Sequence, residues 1–179
     1  MPVDIMTFKK AMSQFATGCT IVTTTTASEP IGITVNAFCS VSLDPLLVMI
    51  SIAKPLYTHS QIMASGVFAV NILSLEQMQL ADLFAGRLPE SGSRFEGLDC
   101  RTVVTGSPIL PGCLSWVDCQ VRHAYDAGDH TLFIGEVAAT GINEGKEPLL
   151  YFQARWGQLD VEGPKIGGPW PTEQDKKPQ

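Results

Sequence analysis

Short runs of β-branched and apolar residues alternate with turn-forming residues along most of the chain, a pattern typical of a mainly β protein. The clearest run is 46–53 (LLVMISIA), whose continuous apolar character predicts a strand covered on both faces. Other strands are predicted at 19–26, 31–43 (as one strand or two), 68–73, 113–124, 131–143 and 148–157. Many strands around a single core favour a barrel, because closing a sheet removes its exposed edges.

Helical periodicity is limited to three short segments. Apolar residues recur at helical spacing from Phe8 to Phe15, with Thr7 as the predicted N-cap. A second helix is predicted at 58–64, and a third begins after Ser74 and runs to about residue 85. The predicted fold class is therefore mainly β with a few short helices.

Two segments show no periodicity. Gly, Pro, Ser and Arg dominate 86–112, which predicts a long irregular loop, and such loops are usually functional or mobile. From residue 163 onward the chain is rich in Pro, Gly and charged residues. We therefore expect one domain over 1–160 and a C-terminal tail over 161–179.

Composition and charge narrow the classes of function. The formal net charge of −6 disfavours nucleic acid as a partner, because an acidic protein repels phosphate backbones. No apolar run reaches bilayer length and the N-terminus lacks the apolar region of a signal peptide, so no membrane partner and a cytoplasmic location are expected. Five cysteines, without CxxC or metal-ligand spacing, are expected to stay reduced and to bind no metal.

The segment 32–45 (GITVNAFCSVSLDP) is the most informative for chemistry. It places four polar side chains at even positions, so one regular strand would point them to one side: Thr34, Asn36, Ser40 and Ser42. Such a row can hydrogen-bond a polar heterocycle and its sugar chain. It can equally be the solvated face of a strand, and the pattern alone leaves both interpretations open.

Gly128 and Asp129 predict a tight turn, and His130 stands where that turn enters a strand. A histidine in this position can donate to a ligand amide or move a proton. The alternative interpretation is a surface histidine of an ordinary turn.

A third candidate is 51–60, where a strand end, Lys54 and hydroxyl groups lead into a helix. A helix N-terminus offers free N–H groups, so this segment suits a phosphate. A simple strand–helix turn with Thr58 as the N-cap explains it equally well. Arg87 and Arg94 in the long loop are further phosphate candidates, or else solvated charges.

The sequence contains no nucleophile elbow, no paired catalytic carboxylates and no HExxH motif. It also lacks a Walker loop and a GxGxxG after a strand, so a nucleotide would not be held in the Rossmann manner. These absences favour chemistry carried by a cofactor.

Taken together, the segments resemble the flavin reductase-like family of NAD(P)H:flavin oxidoreductases. Order and spacing match over about residues 6–157. The blocks that carry the resemblance are 15–23, 32–38, 40–45, 68–73, 128–137 and 148–152.

The resemblance implies a split β-barrel, usually homodimeric, that binds FMN or FAD and uses NADH or NADPH as co-substrate. It implies hydride transfer to flavin N5 and the supply of reduced flavin to a partner monooxygenase. The alternative is an FMN-binding oxidase or an electron-transfer protein on the same barrel.

The resemblance also implies roles for individual residues, with His130 near the nicotinamide. The residues implied in cofactor binding are Gly32, Thr34, Val35, Asn36, Ala37, Ser40, Val41, Ser42, Ser51, Ala53, Lys54, Thr58, Phe84, Arg94, Phe95, Gly128, Asp129 and Tyr151. Two positions depart from the family pattern. Gln153 stands where members often have Arg, and Pro55 lies inside the phosphate segment.

Overall fold

A computed structural model describes residues 2–27, 29–89 and 92–160, which contain ten strands and three α-helices. The helices are α1 (Ile5–Met12), α2 (Tyr57–Ser65) and α3 (Met78–Phe84). The strands are β1 (Thr17–Gly18), β2 (Thr20–Thr25), β3 (Pro30–Val35), β4 (Phe38–Leu43), β5 (Leu46–Ala53), β6 (Val67–Ile72), β7 (Ser115–Ala127), β8 (His130–Ile142), β9 (Leu150–Phe152) and β10 (Arg155–Gly157).

Seven of these strands form one antiparallel sheet in the order β3-β2-β6-β7-β8-β5-β4. β3 and β4 lie at opposite edges, yet only Asn36 and Ala37 separate them along the chain. Three peptide units span at most about 11 Å, so the sheet must curl until its edges approach each other. The Ser51 amide donates to the Ala37 carbonyl at 3.1 Å and attaches this crossing to β5. The predicted mainly β, split-barrel fold is confirmed.

The main core lies inside the curled sheet, because alternate residues of its strands point inward. Val22, Ile50, Phe68 and Phe133 are fully buried there, and α2 adds Ile62 from one end. A second cluster packs α3 against the outer face of β2. Each large side chain removed from water in these clusters contributes about 1.5–3 kcal/mol of transfer free energy.

The predicted first helix is present, but its start differs from the prediction. Asp4 is the N-cap, and its carboxylate accepts from the amides of Met6 (2.9 Å) and Thr7 (3.0 Å). The helix therefore begins one turn before the predicted cap at Thr7 and ends at Met12. Its apolar side chains do not enter the core, since no residue of α1 is buried.

Other elements follow the predicted pattern with local exceptions. The 31–43 segment forms two strands, and 148–157 divides into β9 and β10 around positive-φ residues Gln153 and Ala154. The prediction that 46–53 is covered on both faces is wrong: β5 is buried only on the face with Val48, Ile50 and Ile52, because only the inner face of the curled sheet meets the main core. The predicted tail over 161–179 lies outside the described residues. Among the helices of the described ranges, none is both long and apolar enough to cross a bilayer.

Candidate functional site

The larger of two neighbouring cavities, about 400 Å³, opens beside β3. Thr58, in the first turn of α2, and Arg94, in the loop after α3, both line it. Among the described residues no side chain caps the first turn of α2, whose N-cap is Leu56. Uncapped helix N–H groups and a guanidinium group suit an anionic group such as a phosphate.

Gly32 determines the shape of this cavity. A Cβ at this position would lie 2.7 Å from Cε1 of Phe84 and 3.1 Å from Cζ of Phe95. These two rings meet edge to face, with centroids 5.0 Å apart. The missing side chain therefore lets both aromatic rings close over β3. Arg94 braces the same wall by donating to the Phe84 carbonyl at 3.2 Å.

The smaller cavity, about 160 Å³, lies at the other end of β3. Thr34, Asn36 and Tyr151 line it. The Thr34 hydroxyl donates to the Ala81 carbonyl of α3 at 2.7 Å, so this side chain ties β3 to the helix. Ala85 lines both cavities, which makes them neighbours along β3.

One wall of the smaller cavity is formed by residues from two distant parts of the chain, and no sequence pattern indicated that they would meet. The Asp82 carboxylate accepts from Trp156 Nε1 at 3.0 Å and from Arg87 at 3.2 Å. The guanidinium group of Arg87 stacks over the Trp156 ring, 5.2 Å from its centroid. This arrangement holds a positive charge and a flat aromatic surface beside Asn36.

Cys19 also lines the smaller cavity. Burial raises the pKa of its thiol to about 12, and the nearby Asp82 carboxylate adds to the increase while Arg87 opposes it. The thiol is therefore protonated and unreactive at neutral pH. Among the described residues no group of three or more His, Cys, Asp or Glu side chains is placed to hold a metal ion.

The predicted turn at Gly128 and Asp129 is present and joins β7 to β8. Gly128 has φ +68°, the left-handed conformation that glycine adopts without strain. Nδ1 of His130 donates to the Asp129 carboxylate at 2.7 Å. That hydrogen bond, followed by the charge of the imidazole, lowers the pKa of Asp129. The His130 side chain remains about 41% exposed and accessible to a ligand.

β5 pairs with β8 beside this turn, and the segment that follows β5 leads to the larger cavity. Ala53 pairs with His130 in the β5–β8 ladder. The chain then runs through Lys54 to the cavity-lining residues at 56–58. Lys54 itself does not line that cavity, because its side chain bonds to the β7–β8 turn.

The predicted row of four polar side chains on one strand is wrong. Thr34 lies on β3 and Ser40 and Ser42 on β4, at opposite edges of the sheet. A register shift between Ser40 and Ser42 also breaks the alternation, with Val41 as the extra residue.

The structure gathers the predicted site residues into three groups. The larger cavity contains Gly32, Thr58, Phe84, Arg94 and Phe95, and the smaller one contains Thr34, Asn36 and Tyr151. The third group surrounds the turn: Ala53, Lys54, Gly128, Asp129 and His130. The remaining predicted residues line neither cavity: Val35, whose side chain is in the core, Ala37, Ser40, Val41, Ser42 and Ser51.

Known proteins are similar to this chain in sequence and in fold. The flavin reductase like domain family matches residues 12–160. The FMN reductase (NADH) SmoA of Agrobacterium fabrum is 40% identical over 152 residues, which cover 85% of this chain and 84% of that protein. The flavin-dependent monooxygenase reductase subunit HsaB of Rhodococcus jostii is 32% identical over 168 residues, 94% of this chain and 84% of that protein.

Among solved structures, flavin reductase PheA2 in its native state superposes with a TM-score of 0.82 at 40% identity. The match covers 88% of this chain and 99% of that one. The chain belongs to the flavin reductase like family. The predicted enzyme class, a flavin reductase that uses a nicotinamide nucleotide, is confirmed.

Proposed function

We propose that this protein reduces FMN or FAD with NADH and releases the reduced flavin to a partner monooxygenase. The observation that carries the proposal is that the two cavities lie next to each other along β3, with Ala85 lining both. One end offers helix N–H groups and Arg94 for a phosphate, and the other offers Asn36 beside a flat aromatic wall. A flavin has these same two ends, a phosphate and a planar polar ring.

The flavin phosphate is proposed to bind at the N-terminus of α2, with Thr58 and Arg94. The ribityl chain would follow β3 past Gly32, where a side chain would collide with Phe84. The ring would then meet Asn36, whose amide can both donate and accept a hydrogen bond at the polar edge of a flavin. The residues present therefore fit the cofactor that the family uses.

His130 is proposed to orient the nicotinamide. The hydrogen bond to Asp129 engages Nδ1 and leaves Nε2 for a ligand. When bound, the flavin supplies the acceptor, N5, for a hydride from nicotinamide C4. Hydride transfer needs no strong acid or base from the protein. The contribution of the chain is to hold the two rings face to face and to exclude water.

The protein is further proposed to act as a homodimer. The apolar side chains of α1 are exposed in the single chain, with Phe8 58% and Met12 52% accessible. Phe15, just after the helix, is 68% accessible. Large apolar side chains grouped on one side of a helix typically mark an interface. A two-fold contact between copies of α1 would cover them.

A partner oxygenase and a cytoplasmic location complete the proposal. HsaB is by its name the reductase subunit of a flavin-dependent monooxygenase, which supports a partner of that class here. The five cysteines are all free, in keeping with a reducing compartment.

Anaerobic stopped-flow mixing tests the proposed reaction. Protein is mixed with NADH or NADPH and with free FMN, FAD or riboflavin, and the loss of flavin absorbance is followed. Rapid reduction by NADH with FMN or FAD, and weaker saturation with riboflavin, is expected because riboflavin lacks the phosphate. Failure of either nucleotide to reduce any of the three flavins would overturn the proposal.

A further inference from the structure

Lys54 connects the two parts of the proposed site. We infer that it is a positioning residue, which holds the β7–β8 turn so that His130 is in place for the nicotinamide, and that it is not a ligand of the flavin phosphate. This inference rests on the proposed function, since it takes His130 as the nicotinamide contact. It also revises the role that the family resemblance implies for Lys54.

The ammonium group of Lys54 is occupied by the turn. Nζ donates to the Asp126 carboxylate and to the Gly128 carbonyl, both at 2.6 Å. An ammonium group has three donors, so two of them are used here. Thr58 and Arg94 line the larger cavity whereas Lys54 does not. A phosphate bound there would therefore meet other donors.

The backbone of Lys54 holds the same turn. Its amide donates to the Asp129 carbonyl at 3.0 Å, immediately after the Ala53–His130 pair in the ladder. One residue thus bonds to the end of β7, at Asp126, and to both residues of the turn, Gly128 and Asp129.

Packing contributes little to the position of this turn. The side chain of Asp129 is 91% exposed and that of Asp126 is 79% exposed. The Ala127–His130 pair of the β7–β8 ladder closes the turn, and its exposed residues are held further by polar contacts, whose loss lets such a segment open more readily. Lys54 adds three hydrogen bonds to this region, so the orientation of His130 depends on Lys54 as well as on the ladder.

A second contact anchors the strand just beyond the turn. Nε2 of His59, in α2, lies 2.8 Å from the hydroxyl of Thr131. The His59 ring also meets Phe133 edge to face, with centroids 5.4 Å apart. α2 and β8 are therefore fixed relative to each other, and Lys54 extends that connection to the exposed turn.

The test compares Lys54→Met, Lys54→Arg and Asp126→Asn with the unaltered protein. Four quantities are measured: KM for NADH, kcat, the Kd values of FMN and of riboflavin, and hydrogen exchange across residues 125–131. Lys146→Met is the matched control, because Lys146 forms a comparable exposed ion pair with Glu76 at 2.5 Å and lines neither cavity.

We expect Lys54→Met to raise KM for NADH about three- to tenfold, to speed hydrogen exchange in the turn and to leave the ratio of FMN to riboflavin affinity unchanged. Asp126→Asn should produce the same changes more weakly, since the Gly128 carbonyl still accepts from Lys54. Lys54→Arg should keep KM for NADH and hydrogen exchange in the turn close to those of the unaltered protein, because Arg can still donate to the turn. Lys146→Met should behave like the unaltered protein.

A selective loss of FMN affinity over riboflavin in Lys54→Met would overturn the inference and make Lys54 a phosphate ligand. Unchanged exchange in the turn would overturn it as well. The proposed function is tested separately by His130→Ala. If that variant kept normal NADH kinetics, the nicotinamide role of His130 would be wrong, whereas faster exchange in Lys54→Met would still show that Lys54 holds the turn.

Discussion

Gly32 and Phe84 are so close that a methyl group on Gly32 would lie 2.7 Å from Cε1 of the ring. Phe84 is fully buried and belongs to the outer hydrophobic cluster, so it has little freedom to retreat. The absence of a side chain at position 32 thus serves packing as well as the shape of the larger cavity.

Gly32→Ala should lower the free energy of unfolding by about 1–3 kcal/mol, because the added methyl group overpacks a filled site. Urea unfolding followed by circular dichroism measures this. Gly18→Ala is the control, since a Cβ at Gly18 would meet no atom within 4 Å. Equal stability of the two variants would contradict the packing role.

His130→Ala should raise KM for NADH and lower kcat while flavin affinity stays nearly constant. Loss of one positioning hydrogen bond should cost about 1–3 kcal/mol of transition-state stabilisation. Steady-state kinetics with varied NADH measure the effect. His123→Ala, an exposed histidine on the same hairpin, is the control and should leave the kinetics unchanged. Identical kinetics for both variants would refute the assignment of His130.

Asn36→Leu should weaken flavin binding about tenfold, since the polar edge of the flavin ring would lose its partner. The side chain of Asn36 is exposed to the smaller cavity, so the substitution should not disturb the core. Fluorescence quenching gives the flavin Kd, and circular dichroism checks the fold. An unchanged Kd with an intact fold would remove Asn36 from the flavin site.

The Asp129–His130 hydrogen bond predicts a pH dependence of stability. The pKa of Asp129 in the folded protein lies below its ordinary value of 3.8. The stabilisation is therefore complete above pH 3.8 and is lost as the pH falls through the lowered folded value. Unfolding of the unaltered protein and Asp129→Asn should differ near pH 6 and converge in acid. A difference that persists in acid would contradict this origin.

The exposed apolar side of α1 predicts the assembly. Light scattering at micromolar concentration should give twice the chain mass, and Phe8→Glu should reduce it toward that of one chain, because a buried charge opposes association. Lys10→Glu, on the opposite side of α1, is the control and should leave the mass unchanged. A Phe8→Glu variant that stays dimeric would place the interface elsewhere.

Elements whose formation depends only on residues close together in the chain were predictable from the sequence. The Gly128–Asp129 turn forms as expected, and Ser74 and Gln77 form a capping box at the start of the third predicted helix. Both depend on backbone preferences and hydrogen bonds within four positions. The predicted cap at Thr7 failed for a local reason as well: Asp4 offers a carboxylate acceptor one turn earlier.

The candidate site was only partly predictable. Even spacing placed Thr34 and Ser42 on one strand face, but the chain leaves β3 after Val35, crosses to β4 at the opposite edge of the sheet and bulges within β4. Periodicity assumes a regular strand, so it cannot foresee a crossing or a bulge. The pairing of Arg87 with Trp156 left no signal in the sequence, because nearly seventy positions separate them.

The sequence by itself determined the mainly β character, the turn that carries His130 and the family, because these follow from short-range patterns and from motif blocks in order. Tertiary structure alone decided that Lys54 faces the β7–β8 turn instead of the larger cavity, and that Asp82 holds both Arg87 and Trp156. The physical reason is geometric. Residues far apart in the chain meet only after strand register and sheet curl are set, and those depend on how the whole core packs.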